Sequence, residues 1–180
     1  MKLVYKNLSI RPAAMEDAKQ LVIWWNDGQV MAHAGFPNGL HTNEEEVKEK
    51  LKENQEGNIL RMMLEADDVC IGEMIYRRLD QEIVDIGIKI CEEKYQDHGL
   101  GRIYLRMLMK HLFFDLKFQK IVLSTDLENT RAQHVYELLG FQKVRMVPNA
   151  WENQIGEWRT TVEYECNVDS WGSLSGEDLI

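Results

Sequence analysis

The stretch KYQDHGLGRIYL, residues 94–105, places two glycines at the seam between a polar turn and an apolar helix. A glycine inside a helix costs about 1 kcal/mol relative to alanine, so two at a helix start need a compensating use. One use is close approach of the backbone to a bound anion; the other is a turn glycine followed by a packing glycine. Downstream, Leu100, Ile103, Tyr104, Met107, Leu108 and Leu112 recur at helical spacing, which predicts a helix over 100–115. Upstream, EIVDIGIKI (82–90) puts Ile86, Ile88 and Ile90 on one face and Asp85, Gly87 and Lys89 on the other, the alternation of a strand. A helix N-terminus offers unpaired N–H groups and a positive dipole end, and glycine lets a diphosphate come close. The segment 97–102 therefore suits a pyrophosphate. It is not a phosphate loop of the GK[ST] type, and Tyr104 stands where a dinucleotide fingerprint needs its third glycine.

Working outward toward the N-terminus, NILRMMLEA (58–66) and VCIGEMIYR (69–77) read as two more strands, joined by turns short enough for antiparallel hairpins. Before them come a strand at 7–12, a helix at 14–27, a Gly/Pro-rich loop at 32–42 and a helix at 43–54. Thr42 and Glu45 have the spacing of a capping box for that second helix. Toward the C-terminus, KIVLST (120–125) is a buried strand, 130–140 a helix stopped by Gly140, and 141–147 and 158–166 further strands. This order predicts an α/β fold: a mixed, mostly antiparallel sheet flanked by helices on both faces. Residues 1–166 form one domain in this reading, and 167–180 form a polar, loosely ordered tail.

Composition narrows the function classes. The chain has 180 residues, 44% apolar and 28% charged, the mixture of an ordinary globule with one sizeable core. No run approaches a membrane span, and MKLVYKNLSIRP lacks the apolar core of a secretion signal. Three widely spaced cysteines favour reduced thiols and a cytoplasmic location. A net charge of −9 argues against a nucleic-acid partner and leans toward a cationic acceptor. The five histidines form no metal-ligand pattern, so no metal is expected.

QDHGLG (96–101) matches the Gln/Arg-x-x-Gly-x-Gly/Ala signature of the GNAT superfamily of acetyl-CoA-dependent N-acetyltransferases. NTRAQHVYELLGF (129–141) independently resembles that superfamily's Asn-x-x-Ala-x-x-x-Tyr-x-x-x-Gly-Phe segment. The pattern covers about residues 8–166 and is most similar to the branch with ribosomal-protein N-terminal acetyltransferases and antibiotic-modifying enzymes. The resemblance implies acetyl-CoA as acetyl donor. Its pantetheine arm would pair with Ile88, Lys89 and Ile90, and its diphosphate would lie on Gln96, Asp97, His98, Gly99, Leu100, Gly101 and Arg102. Asn129 would bond the arm or cap its helix.

The same resemblance implies two catalytic groups. Tyr136 occupies the position of the tyrosine that protonates the leaving thiolate, a role its high reference pKa permits. Asp85 lies eleven residues before Gln96, where some members carry a glutamate base. It acts as base directly or through water, or it only orders strand and substrate; Glu73 on the neighbouring strand is the alternative base. The acceptor side is expected to involve Trp25, Asp27, Phe36 and Trp151, aromatics and a carboxylate that suit a cationic amine. Trp24 and Trp25 are helix neighbours and cannot both face one pocket. The acceptor is a protein or peptide N-terminus, or a small amine such as an aminoglycoside or polyamine. Homodimerisation is a further family trait. The alternative function is a non-catalytic acyl-CoA-binding sensor.

Overall fold

The computed structural model describes residues 1–174, the last three by their backbone alone. Its strands are β1 (Leu3–Tyr5), β2 (Leu8–Pro12), β3 (Ile59–Ala66), β4 (Val69–Arg78), β5 (Ile83–Ile90), β6 (Lys120–Asp126), β7 (Gln142–Glu152) and β8 (Trp158–Asn167). Its helices are α1 (Ala18–Asn26), α2 (Gly28–Met31), α3 (Glu44–Glu56), α4 (Leu100–Lys110), α5 (Thr130–Leu138) and α6 (Val168–Leu174). The strands form one sheet in the order β1-β2-β3-β4-β5-β6-β8-β7. Every neighbouring pair is antiparallel except β5–β6, which is parallel. The mixed, mostly antiparallel α/β architecture is thus as expected.

Alternation along the strands feeds two cores on opposite faces. Met62 and Leu64 of β3, and Val84 and Ile86 of β5, join Tyr104, Leu105 and Leu108 of α4 in the larger core. Met63 points the other way and meets Leu21, Trp24 and Trp25 of α1 and Val47 and Leu51 of α3. Arg61, Glu73 and Lys89 have the same parity as Met63 and lie on this second face. The Tyr104 hydroxyl donates to the Glu65 carbonyl at 2.6 Å, anchoring α4 across the sheet. Residues 111–115 prolong α4 as a π turn, so the expected helical span 100–115 is filled.

Several boundaries differ from expectation. The N-cap of α3 is Asn43, whose side chain accepts from the Glu46 N–H at 3.0 Å; Thr42 instead donates its hydroxyl to the Glu46 carboxylate at 2.7 Å. Both residue types cap well, so the position was shifted by one. The first helix stops at Asn26, and Asp27 begins the short α2 by accepting from Gln29 N–H at 2.8 Å. β7 runs on to Glu152 as the edge strand. The expected loose tail is helical at Val168–Leu174, where Trp171 is 3% exposed and packs on Phe113 with ring centroids 5.5 Å apart. The remainder of that tail lies outside the described residues.

Candidate active site

The parallel pair β5–β6 is the place where the sheet opens. Its ladder covers only Ile83–Asp85 against Lys120–Val122. Beyond Asp85, β5 stays bonded to β4 as far as Ile90, and β6 stays bonded to β8 as far as Asp126. The two strands part, and beyond Asp85 β5 turns an edge with no strand partner toward the gap. Such an edge offers N–H and C=O groups to an extended ligand. Helices α4 and α5 follow β5 and β6 and both start at the open end of the gap.

The glycine turn closes that end. The Gln96 side-chain amide donates to the Ile90 carbonyl at 3.0 Å and ties the turn to the strand. Asp97 and Gly99 have φ of 61° and 74°, the left-handed conformation that costs a residue with a Cβ roughly 1–2 kcal/mol. Gly99 caps α4 without any side-chain bond, which leaves the first-turn N–H groups of Leu100, Gly101 and Arg102 without helical acceptors. A Cβ built on Gly99 or Gly101 would meet no atom within 4 Å. Open space over a helix N-terminus fits a diphosphate. Arg102 is exposed there, and Arg131 at the start of α5 reaches Asp97 at 3.2 Å. The His98 ring nitrogen lies 3.1 Å from the Lys94 carbonyl.

Asn129 caps α5, accepting from the Ala132 N–H at 3.2 Å. Two turns on, Tyr136 is buried between Tyr164 and Phe141, with centroid distances of 5.7 and 6.0 Å. Burial, with Tyr164 beside it, pushes its phenol up to about 12, so it keeps its proton at neutral pH. Asp85 sits at the last paired position, where the strands part. Burial raises its carboxyl, partly offset by Arg77 across the β4–β5 pair. It lies four positions before Lys89, roughly 13 Å along the strand.

On the second face, β3, β4 and β5 contribute Arg61, Glu73 and Lys89 to a cavity of about 390 Å³, walled also by Trp25 and by Glu46 and Lys50 of α3. Glu73 is 4% exposed. Its Oε1 accepts from Trp25 Nε1 at 2.9 Å and Lys89 Nζ at 3.3 Å, and its Oε2 from Arg61 Nη1. Burial alone would raise this carboxyl, but the charges of Arg61 and Lys89 prevail and hold it below the usual range. A carboxylate so engaged is a poor base, which weighs against the alternative role for Glu73. Of the expected acceptor residues, Trp25 lines this cavity. Trp24 turns away and donates its indole N–H to Glu92 at 2.8 Å.

Asp27, Phe36 and Trp151 are placed elsewhere. Asp27 is exposed as a helix cap, and Phe36 is 36% exposed on the following loop. Trp151 packs over Gly35, where an added Cβ would lie 2.5 Å from its ring, and donates to the Thr161 hydroxyl at 3.2 Å. Gln154 locks the β7–β8 hairpin to the same loop, donating its backbone N–H to the Gly35 carbonyl at 2.8 Å and its amide to the Gly39 carbonyl at 2.9 Å. Sequence reasoning missed Arg61, Glu46 and Lys50. The one signal was a charged residue at an inward parity of β3, and it meant little without the cross-strand register. Among the described residues, no group of three or more His, Cys, Asp or Glu could hold a metal ion.

Comparison with known proteins decides the family. The acetyltransferase (GNAT) domain family matches residues 7–142. The chain belongs to the GNAT acetyltransferase family. Spermidine N-acetyltransferase from Vibrio cholerae, solved with CoA and spermine, is 18% identical with a TM-score of 0.82, over 92% of this chain and 98% of that one. RimL, a ribosomal L7/L12 α-N-protein acetyltransferase solved with coenzyme A, is 17% identical with a TM-score of 0.81, over 94% and 99%. A GNAT-family acetyltransferase from Bacillus anthracis is 19% identical with a TM-score of 0.78, over 93% and 98%. At such identities the likeness is one of GNAT fold. The opened β5–β6 pair and the glycine turn lie within the matched span.

Proposed function

We propose that this protein is an acetyl-CoA-dependent N-acetyltransferase that moves an acetyl group directly to a primary amine. The observation that carries the reading is the parting of β5 and β6 beside an open glycine turn. Bound acetyl-CoA supplies an acyl group already activated as a thioester. The N–H groups of 97–102 hold the diphosphate, with Arg102 adding charge. The free edge of Ile88–Ile90 bonds the pantetheine arm, and a backbone N–H near Lys89 or Ile90 donates to the acetyl oxygen as it gains charge. Asn129 closes the site from α5.

The reaction forms one C–N bond and breaks one C–S bond. Asp85, roughly 13 Å along the strand from Lys89, takes the proton the amine loses through a chain of water rather than by direct contact, and its raised carboxyl suits a base. Tyr136, still protonated at neutral pH because burial pushes its phenol up to about 12, donates its Oη–H to the departing sulfur. Two structural neighbours, a spermidine N-acetyltransferase and a ribosomal-protein α-N-acetyltransferase, support an amine as acceptor. Three unpaired cysteines suit a reducing, cytoplasmic compartment. The test is release of free thiol and appearance of acetylated amine, followed by mass, for wild type and Tyr136→Phe. The proposal expects turnover in the wild type and a loss of kcat of about a hundredfold in the variant, with the KM for acetyl-CoA little changed. Equal activity would remove the acid role. Binding of acetyl-CoA with turnover of no amine would favour the sensor.

A further inference from the structure

The acceptor cavity has a charge unlike that of the chain as a whole. Across three neighbouring strands, Arg61 and Lys89 share the single carboxylate of Glu73. The Trp25 indole also donates to it, so three donors already draw on its roughly four acceptor sites. Arg61 is under-satisfied: its Nε–H is buried without an acceptor, and the guanidinium stacks on the Trp25 ring at 4.7 Å. Among the described residues, the ammonium of Lys89 bonds Glu73 and the sulfur of Met31, at 3.1 Å, a weak acceptor. At the rim, Glu46 and Lys50 bring one charge of each sign, and Glu46 already accepts from Thr42 at 2.7 Å. The cavity therefore carries a surplus of cation and of hydrogen-bond donors. The net charge of −9 sums carboxylates spread over the whole surface. Beyond about 8 Å of salt solution those are screened, whereas the buried pair is not.

We propose that this cavity selects an acceptor amine that also carries an anionic group, a carboxylate in the simplest case, docked on Arg61 and Lys89. The inference rests on the acetyltransferase reading and names the substrate class of that site. A polyamine would add positive charge beside two cations already short of partners. A carboxylate would give them the acceptor they lack, in the planar geometry a guanidinium matches. The same cations would depress the pKa of a nearby ammonium and so favour the neutral amine that attacks.

The experiment compares three acceptors with the purified protein and acetyl-CoA: alanyl-glutamyl amide, its neutral match alanyl-glutaminyl amide, and spermidine. The expected result is a kcat/KM for the acidic peptide at least about tenfold above its neutral match, with spermidine lowest. Arg61→Gln should erase most of that advantage and Arg61→Lys only part of it; if either variant folds poorly, the wild-type comparison stands alone. Equal rates for the two peptides, or a preference for spermidine, would overturn the inference while leaving acetyl transfer intact. Turnover of none of the three would overturn it too, and a thermal shift with acetyl-CoA then shows whether the transferase reading falls with it.

Discussion

Glu73 draws three donors onto two oxygens in a site almost closed to water. Removing Arg61 leaves this buried carboxylate to Lys89 and the Trp25 indole alone, a loss near the lower end for breaking a buried pair, about 3 kcal/mol. Arg61→Ala should therefore lower the melting temperature by roughly 10 °C for a domain of this size, measured by calorimetry. A change under about 2 °C would mean that Glu73 is solvated or protonated. Its folded carboxyl lies below the unfolded value. Its contribution is thus complete above the ordinary carboxylate range and is lost as pH falls through the folded value, below about pH 4. Asp85 has the opposite sign: burial raises its folded carboxyl, so its charge destabilises at neutral pH. Asp85→Asn should gain stability over the wild type as pH rises from about 4 to 7, while kcat falls about a hundredfold. Paired melting curves and rates check both halves; a stabilised variant with normal kcat would make Asp85 structural.

At the scale of elements, the glycine turn separates folding from binding. Gly101 lies within α4 in an ordinary helical conformation, with open space where a Cβ would go. Gly101→Ala should stabilise the free protein by about 0.5–1 kcal/mol, because alanine is the better helix former. It should also weaken acetyl-CoA by at least about tenfold if a diphosphate occupies that space. Denaturant unfolding and isothermal calorimetry read the two effects, and unchanged affinity would leave Gly101 with no role in binding. Strand and helix periods made β5 and α4 legible in the sequence, because Ile86, Ile88 and Ile90 alternate and Tyr104, Leu108 and Leu112 recur on one buried stripe. The opening beside β5 was hidden from them. A strand keeps its period of two whether or not a partner continues, so only the two-motif resemblance, which pairs the pantetheine arm with Ile88, Lys89 and Ile90, pointed to a free edge there. The helix α6 was hidden for another reason: one buried Trp171 holds it, within a segment whose composition is that of a tail.

At the scale of the molecule, the cofactor side and the acceptor side were unequally legible. The cofactor side depends on local features, a turn and two helix starts, which short motifs encode. The acceptor side depends on register: Glu73 meets Lys89 only because β4 and β5 pair antiparallel, and Arg61 reaches Glu73 diagonally from β3. Asp27, Phe36 and Trp151 were drawn from the walls that the resemblance implies for the acceptor side; the structure makes Asp27 a helix cap, packs Trp151 on Gly35 and leaves Phe36 36% exposed. Both sides meet on β5, which borders the gap beyond Asp85 and sends the Lys89 side chain into the cavity. That convergence depends on acetyl-CoA occupying the gap, which a thermal shift tests, with ATP and NADH as controls. At about a hundred times its dissociation constant, acetyl-CoA should stabilise the fold by roughly 2.7 kcal/mol, a shift of several degrees that neither control produces. No shift at millimolar acetyl-CoA, or an equal shift with ATP, would contradict the account.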